Sequence, residues 1–287
     1  MPASENAITG VSLLTLLGNN LIGAQTEASL SASQNLIEVI TKQDSGFIEH
    51  LSGKQDWSVS HSGLVLDENA SKFVSNGNAK IELEFDDGSG TVAYQEIPRL
   101  NTLDLSFSQN MAETGGLDRA LWTYRRPAER MMEVDTEGSY VDPASDLGKT
   151  YDEILSAKDN SNNVTARITV ASRKFECDLA PGDLEISAST GGEDATISLN
   201  FASDNEITKS GTSFDSSVSM IMDAFFDQSR LDFALENRDG GSAITGSTTF
   251  TGGGYLDSAD ISLEDGSEAT LDAEFAGDGV LNRTTVS

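Results

Sequence analysis

The chain is short of cysteine and histidine, and each shortage excludes a class of function. Its single cysteine, Cys177, cannot form an intramolecular disulfide, so the disulfide framework of a small secreted domain is excluded. The two histidines, His50 and His61, have no second His or Cys at ligand spacing, which argues against a zinc site. Cys177 alternates with Phe175 and Leu179, which predicts a small buried residue on a strand.

Basic side chains are also scarce. The 287 residues contain 18 Lys and Arg against 47 Asp and Glu, which gives a formal net charge of −29. Proteins that bind nucleic acid tightly use clustered Lys and Arg to contact phosphates, so this function is excluded. Two environments suit such an excess of carboxylates: concentrated salt, which screens their repulsion, or an assembly whose surface must repel DNA. We prefer a salt-rich host as the explanation for most of them.

Long apolar runs and catalytic motifs are missing as well. The apolar run at 11–17 follows no basic residue and is interrupted by Gly18, which predicts neither a signal peptide nor a membrane span. We therefore expect a protein that is made in the host cytoplasm and used without export. No P-loop, GxSxG or HExxH spacing occurs, and carboxylate pairs are uninformative among 47 acids. The sequence predicts no enzyme, no catalytic residue, no metal site and no cofactor.

Short segments in which apolar and polar residues alternate dominate the chain. Alternation with period two places one face of a strand in a core and the other in water. The clearest segments are 29–33, 57–60, 80–85, 103–108, 166–170, 231–235, 259–263 and 270–275. Gly- and Asp-rich turns are predicted at 86–90, 180–183, 239–241 and 264–266. Together they predict a mainly β fold, a sandwich or barrel, with one or two short helices.

Helical patterns are few. Residues 214–228 carry an apolar stripe at i, i+3, i+4, i+7 and i+8, and Ser213 precedes them as a predicted N-cap. Residues 151–155 predict a shorter helix. Residues 117–132 begin with a helical pattern that Pro127 should end.

Internal similarity indicates a duplicated β unit. Residues 29–35 (SLSASQN) recur 75 positions later as 104–110 (DLSFSQN). The same offset relates Val59, Gly63 and Asp67 to Val134, Gly138 and Asp142. Residues 193–202 recur 74 positions later as 267–276. Near-equal offsets in one chain order favour duplication, and both nested and tandem arrangements fit them.

The two ends of the chain resemble a known family. The front segments QTEASLSAS, IEVITKQDSGFIEHLSG and QDWSVSHSGLVLDE, within 20–67, are similar to the front of a major tail tube protein of tailed phages and archaeal tailed viruses. The back segments FDSSVSMIMDAFFD, RLDFALEN, SAITGSTTFTGGG and ADISLEDGSEATLDAEFAGDGVL, within 211–281, resemble its helix and closing strands. The stretch 70–205 departs from the family and looks like a second copy of the same unit. With the acidic composition, the resemblance implies a virus of a halophilic archaeon.

The resemblance implies a structural virion protein located in the tail. A tail-tube β domain would comprise 1–75 plus 206–287, and 76–205 would be a second, similar unit or an inserted lobe. Three chains would form a pseudo-sixfold ring in the first case, and six chains would form a ring in the second. Stacked rings, joined by other tail proteins at the tube ends, would form a negatively charged conduit through which DNA passes without specific binding. The alternatives are an extracellular β-sandwich adhesin or surface-layer module of a halophile and, third, a carbohydrate-active enzyme.

Two segments are candidate interfaces between subunits. The predicted loop 41–55 carries Phe47, Ile48 and Leu51, apolar groups that either dock on the neighbouring ring or fold onto their own domain.

The second segment, 117–132, concentrates arginines around two aromatic residues. It contains Arg119, Trp122, Tyr124, Arg125, Arg126 and Arg130. Arg and Trp are enriched at interface cores, so we expect a subunit contact here. A nucleic-acid patch and salt bridges within the chain are the other interpretations.

Overall fold

Strands form most of the described part of the protein. The structure is a computed structural model and describes residues 13–17, 20–21, 24–39, 49–66, 74, 79–86, 92–114, 122–140, 149–188, 195–211, 214–239 and 242–286. These residues form sixteen strands and two helices, which confirms the predicted mainly β fold. The strands are β1 (Leu13–Leu17), β2 (Asn20–Leu21), β3 (Gln25–Val39), β4 (Glu49–Leu64), β5 (Ala79–Asp86), β6 (Val92–Glu96), β7 (Leu100–Glu113), β8 (Arg125–Ser139), β9 (Val164–Val170), β10 (Arg173–Ser187), β11 (Thr196–Ser203), β12 (Thr208–Ser210), β13 (Leu231–Asp239), β14 (Ser242–Ala243), β15 (Thr248–Glu264) and β16 (Thr270–Thr285). The helices are α1 (Lys149–Asn160) and α2 (Ser216–Asp227).

Each alternating segment of the sequence lies in a strand, and the strands extend beyond the segments. In β16, for example, Leu271 and Phe275 are buried whereas Asp272 and Glu274 are exposed. Successive side chains of a strand point to opposite faces of the sheet, so this pattern buries one face and leaves the other in solvent. Cys177 is buried on β10, as predicted, and burial raises the pKa of its thiol to about 12.

Both predicted helices are present, with different ends. The Asp215 carboxylate caps α2 by accepting a hydrogen bond from the Val218 N–H at 2.8 Å. The predicted cap, Ser213, lies outside the described residues. Helix α1 is longer than the predicted segment 151–155 and begins at Lys149.

The helical prediction for 117–132 is wrong over its described part. Residues from Arg125 onward form β8, and Pro127 lies inside this strand opposite Met111 of β7. The described pairing of β8 with its other neighbour, β11, begins only at Glu133. Proline is tolerated on this stretch because only one edge of the strand is paired there.

The turn predicted at 180–183 is also wrong. These residues lie within β10, where the register with β11 shifts between Pro181 and Leu184. Pro and Gly are accommodated in a strand at such a bulge, so a turn composition here marks an irregularity instead of a chain reversal. The turn at 264–266 is confirmed, with Gly266 at a φ of 77°.

Two sets of six strands repeat the same order of pairing. Set A runs β1–β13–β15–β16–β4–β3, and set B runs β5–β9–β10–β11–β8–β7. Set A takes its strands from both ends of the chain and set B from the middle. The repeated strands are therefore nested in the sequence, one of the two arrangements that the offsets allow.

The residue register is repeated as well. Leu30 lies opposite Val59 in hairpin β3–β4, and Leu105 lies opposite Val134 in hairpin β7–β8, 75 positions later. Both hairpins have register shifts at two corresponding places, namely 25/27 with 34/36 and 100/102 with 109/111. The next strand follows the pattern, since Phe275 of β16 faces Val59 and Phe201 of β11 faces Val134. The two sets of strands thus share both their order of pairing and their register.

Candidate assembly surfaces

The central part of one face of the sheet is acidic. Cross-strand neighbours place the following side chains on one surface, here called the acidic face: Ser29, Ser31, Ser33, Ser58, Ser60, Ser62, Asp104, Ser106, Ser108, Glu133, Asp135, Glu137, Asp183, Glu185, Ser187, Ser198, Asn200, Ser258, Asp260, Ser262, Glu264, Asp272 and Glu274. All of them are exposed or half-exposed, whereas the residues between them mostly point into the core. No Lys or Arg occupies these positions, but Arg125 borders them beside Ser33 and Glu274. Lys80, Arg167 and Lys174 lie further along the same side of the sheet, on β5, β9 and β10. The central surface consists mostly of hydroxyls and carboxylates, with the exposed Met131 opposite Ser108.

Carboxylates face each other directly on this surface. Asp104 lies opposite Asp135, and Asp260 lies opposite Asp272. Like charges at directly opposed positions destabilise a sheet. Among the described salt bridges, none involves these four side chains, although the Asn200 amide donates a hydrogen bond to Asp135 Oδ1 at 2.7 Å. The acidic face is therefore unfavourable for the isolated chain, which points to a role outside its own folding.

The two long hairpins extend beyond the rest of the sheet. β4 pairs with β16 only over 58–64, so 34–39 and 49–55 are described as a two-stranded ribbon. Leu36, Ile37 and Leu51 of this ribbon are 56%, 51% and 56% exposed, and Ile37 lies opposite Leu51. Grouped exposed apolar side chains mark a contact surface.

The predicted interface residues of 41–55 lie partly in this ribbon. Phe47 and Ile48 fall outside the described residues. Leu51 is described, and it lies on strand β4 where the sequence predicted a loop. The loop prediction is wrong from Glu49 onward because the strand continues past the alternating segment. Docking of these residues on a neighbouring ring stays a prediction.

The arginine segment contacts the base of the same ribbon. Arg119 falls outside the described residues. Half-buried Trp122 forms a backbone bridge with Gln55 and packs against the core. Arg126 is exposed.

Arg125 is the best-anchored residue of the segment. Its two terminal nitrogens contact the two carboxylate oxygens of Asp56, Nη1 at 2.6 Å, and Nη1 also donates to the Gly277 carbonyl at 2.7 Å. Its backbone N–H donates to Asp278 Oδ1 at 2.9 Å. Such forked contacts fix geometry as well as charge. Salt bridging within the chain, one of the interpretations of the sequence, thus describes Arg125, and a subunit contact of Trp122, Arg125 and Arg126 stays a prediction.

Two carboxylates near Arg125 have shifted pKa values. Burial raises the pKa of Asp56, but the hydrogen bond and charge of Arg125, with the Trp57 N–H, outweigh it and leave this pKa below its usual range. Asp257 has the opposite shift, because burial and then the nearby Glu274 raise its pKa. Arg125 and Asp56 therefore lie where the ribbon meets the acidic face.

Trp57 is a structural anchor that the sequence analysis did not single out. Its indole Nε1 donates to the Gly279 carbonyl at 2.9 Å. A Cβ at Gly277 or Gly252 would lie only 2.3 Å or 2.5 Å from the indole ring, so both positions require glycine. The GGG run at 252–254 was the available signal, since glycines inside a strand often mark close approach.

One seam joins the two sets of strands. Residues 258–264 of β15 pair antiparallel with 102–108 of β7. In the described pairings, 29–33 of β3 pair only with β4, and 184–187 of β10 pair only with β11, so each of these stretches has one edge that no described strand pairs with. Unpaired edges are ready to pair with another chain.

The described residues offer neither a membrane-spanning helix nor a cluster of metal ligands. No described helix has the length and apolar character needed to cross a membrane. Nowhere in the described ranges do three or more His, Cys, Asp or Glu side chains converge as metal ligands.

The chain is similar to several solved structures of phage-like tails. The sequence matches no protein-family model and no curated protein. A chain of the virion of a native gene transfer agent particle is 13% identical with a TM-score of 0.40, and a chain of the tail of an empty gene transfer agent particle with C6 symmetry is 15% identical with a TM-score of 0.40. Each match covers 48% of this chain and 98% of the other. A chain of the anti-feeding prophage baseplate is 10% identical with a TM-score of 0.35, covering 47% and 93%.

Proposed function

We propose that the chain is a structural subunit of a viral tail, in which copies assemble into stacked rings of a tail tube and perform no chemistry. The observation that carries this proposal is the acidic face. It combines serines with opposed carboxylate pairs, Asp104 with Asp135 and Asp260 with Asp272, and the four strand segments around these pairs, 102–108, 133–139, 258–264 and 270–276, contain no Lys or Arg.

The acidic face suits the bore of a DNA conduit. A basic wall would bind phosphates and release counterions, so it would retain the genome. A wall of carboxylates and hydroxyls repels phosphates and stays hydrated, so DNA can slide past without binding. Repulsion between Asp104 and Asp135 lowers the stability of the subunit, but the same negative charges keep DNA from binding to the wall. Salt in a halophilic archaeal host would screen this repulsion over short distances.

The duplicated unit supports three chains in each ring. Residues 1–75 with 206–287 would form one tube domain and 76–205 the second, because sets A and B fall within these limits. Three chains with two units each give a pseudo-sixfold ring. The exposed ribbon residues Leu36, Ile37 and Leu51, with Phe47 and Ile48, would contact the next ring. Other tail proteins would close the tube at its ends.

Electron microscopy tests this proposal directly. Purified protein in molar salt should form rings and stacks, and a reconstruction should place the acidic face on the inner surface. Single particles without rings at high concentration would contradict it, as would rings with the acidic face outward. Flat lattices would favour a surface-layer protein instead.

A charge reversal tests the role of the acidic face. Asp135→Lys combined with Asp272→Lys should convert tubes that exclude DNA into tubes that retain it at low salt, measured by co-sedimentation. Asp152→Lys with Glu153→Lys, on exposed positions of α1, makes the same change in net charge away from the face. Equal DNA retention by both pairs would show that only net charge matters.

A further inference from the structure

We infer that subunits join by strand addition in one defined register. Residues 183–187 of β10 pair antiparallel with 29–33 of β3 in a second copy of the chain. This inference builds on the proposed self-assembly and specifies the partner edge, its direction and its residue pairs.

The seam inside the chain is the template. Residues 250–254 of β15 pair with β13 on one edge while their other edge pairs with β16. Further along, 258–262 pair with β7 on the edge opposite β16. β13 and β7 therefore lie one after the other along a single edge of β15, and β7 belongs to the other set of strands.

Set B presents the corresponding edge without a partner. β10 corresponds to β15 with an offset of 75, and its residues 173–179 pair with β9 where β15 pairs with β13. Beyond β9, no described strand pairs with this edge of 183–187, the counterpart of 258–262. The counterpart of β7 is β3, and the described pairings leave its outer edge without a strand too. One chain therefore contains both edges of a second seam, but they lie on opposite sides of the β15–β7 seam and belong to different sets of strands.

The side chains at both halves match the template. In the seam, Ile261 lies opposite Leu105, and both are 0% exposed. The counterparts are Ile186, which is 43% exposed, and the half-buried Leu30. An apolar pair that is buried in one seam is thus left open at the other, and pairing with a second copy would cover it.

The inferred register also places large residues opposite small ones and avoids opposed carboxylates. Phe107 lies opposite Ala259 in the template, a large residue facing a small one. The inferred seam reverses the sizes, with Ala32 opposite Leu184. On the acidic face, Asp260 lies opposite Ser106, and Glu185 would lie opposite Ser31. No two carboxylates oppose each other in the inferred pairs of 183–187 with 29–33.

The contact is head-to-tail, because the two edges are different surfaces of each chain. Such an interface closes into a ring when the rotation between subunits is right. Closure pairs 29–33 of every β3 with 183–187 of a neighbouring β10 and so removes two exposed edges that otherwise promote aggregation.

Paired cysteines test the register. Ser31→Cys with Glu185→Cys should oxidise to disulfides between chains, giving dimers and trimers on non-reducing gels. Ser106→Cys with Asp260→Cys is the matched reference, since it should close a disulfide within one chain at the corresponding pair. Ser33→Cys with Glu185→Cys is displaced by two residues and should cross-link far less, because diagonal neighbours are too far apart for a disulfide. The native Cys177 is buried and should not contribute.

The outcomes separate this inference from the proposed function. Rings that form without a cross-link at Ser31 and Glu185, while the reference pair closes, would overturn the register and leave ring assembly standing. Preferential cross-linking of the displaced pair would also overturn it. Monomers without rings or cross-links at high concentration would overturn both. Cross-linked trimers with an uncross-linked displaced pair support the inferred seam.

Discussion

Two corresponding isoleucines should respond in opposite ways to the same substitution. Ile261 is 0% exposed inside the chain's own seam, and Ile186 is 43% exposed at the free edge of β10. We expect Ile261→Ala to reduce the free energy of unfolding of the single chain. Ile186→Ala should chiefly weaken the association of chains.

The magnitudes follow from burial. Truncating a fully buried isoleucine to alanine costs about 2–5 kcal/mol, which is the expected loss for Ile261→Ala. Full burial of an isoleucine contributes about 1.5–3 kcal/mol, so covering the 43% of Ile186 that is still exposed contributes about 1 kcal/mol per seam. Losing this contribution raises the dissociation constant of each contact about fivefold, and that of a ring closed by three seams about a hundredfold in total.

Urea unfolding at low protein concentration would give the first quantity, and sedimentation velocity across a concentration series the second. Leu105→Ala and Leu30→Ala repeat the comparison on the partner strands, since they are the residues opposite Ile261 and Ile186. Equal losses of unfolding free energy at Ile186 and Ile261 would refute the reasoning. So would unchanged assembly of Ile186→Ala, because the free edge would then have no partner.

Three further substitutions test individual contacts. Burial lowers the pKa of His61 from 6.5 to about 4, so the folded chain keeps this side chain neutral. As the pH drops from 6.5 toward 4, the unfolded chain takes up a proton that the folded chain does not, and the free energy of unfolding falls by up to about 3 kcal/mol. His61→Thr, which introduces the residue found at the corresponding position 136, should reduce this pH dependence in urea unfolding at pH 7 and 4.5. An unchanged pH dependence would contradict the assignment. Gly277→Ala places a Cβ 2.3 Å from the Trp57 ring and should cost about 1–3 kcal/mol in the free energy of unfolding, less in a Trp57→Phe background; an equal cost in both backgrounds would show that the ring is not the obstacle. Arg125→Lys loses the forked contact with Asp56 and should lower stability by about 1 kcal/mol, whereas Arg126→Lys, at an exposed position, should leave the Tm of the chain unchanged; equal effects on the Tm would contradict this assignment.

The sequence predicted the parts of the fold that depend on local patterns. Alternation located the strands, because a half-buried strand needs apolar residues at every second position. It missed the strand continuation at Leu51, since a ribbon exposed on both faces needs no alternation. The predicted helix end at Pro127 and the predicted turn at 180–183 were wrong for a related reason. Where a strand has one neighbour or a bulge, turn-forming residues are compatible with it.

The assembly surfaces could be predicted only in part. Offsets of 74 and 75 indicated duplication, but pairing between distant strands decides which edges stay open, and no local pattern encodes it. Asp104 and Asp135 illustrate this limit. They are 31 positions apart in the sequence, and only the register of β7 and β8 places them opposite each other. The interface prediction at Arg125 rested on composition, whereas the structure gives this residue partners within its own chain.

The way in which the two units differ supports a function based on strand edges. Trp57 in set A corresponds to the smaller Met132 in set B. Gly252 and Gly277, which make room for the indole, correspond to Cys177 and Ser203. Interior side chains thus differ between the two units, while the pairing register and its bulges are identical in the two hairpins. The buried face of each strand fixes its register, because a slip of one residue would turn the apolar side chains toward solvent. A shared register also lets the edge of one unit pair with the edge of the next, within the chain at β15–β7 and, in the inferred seam, between chains at β10–β3.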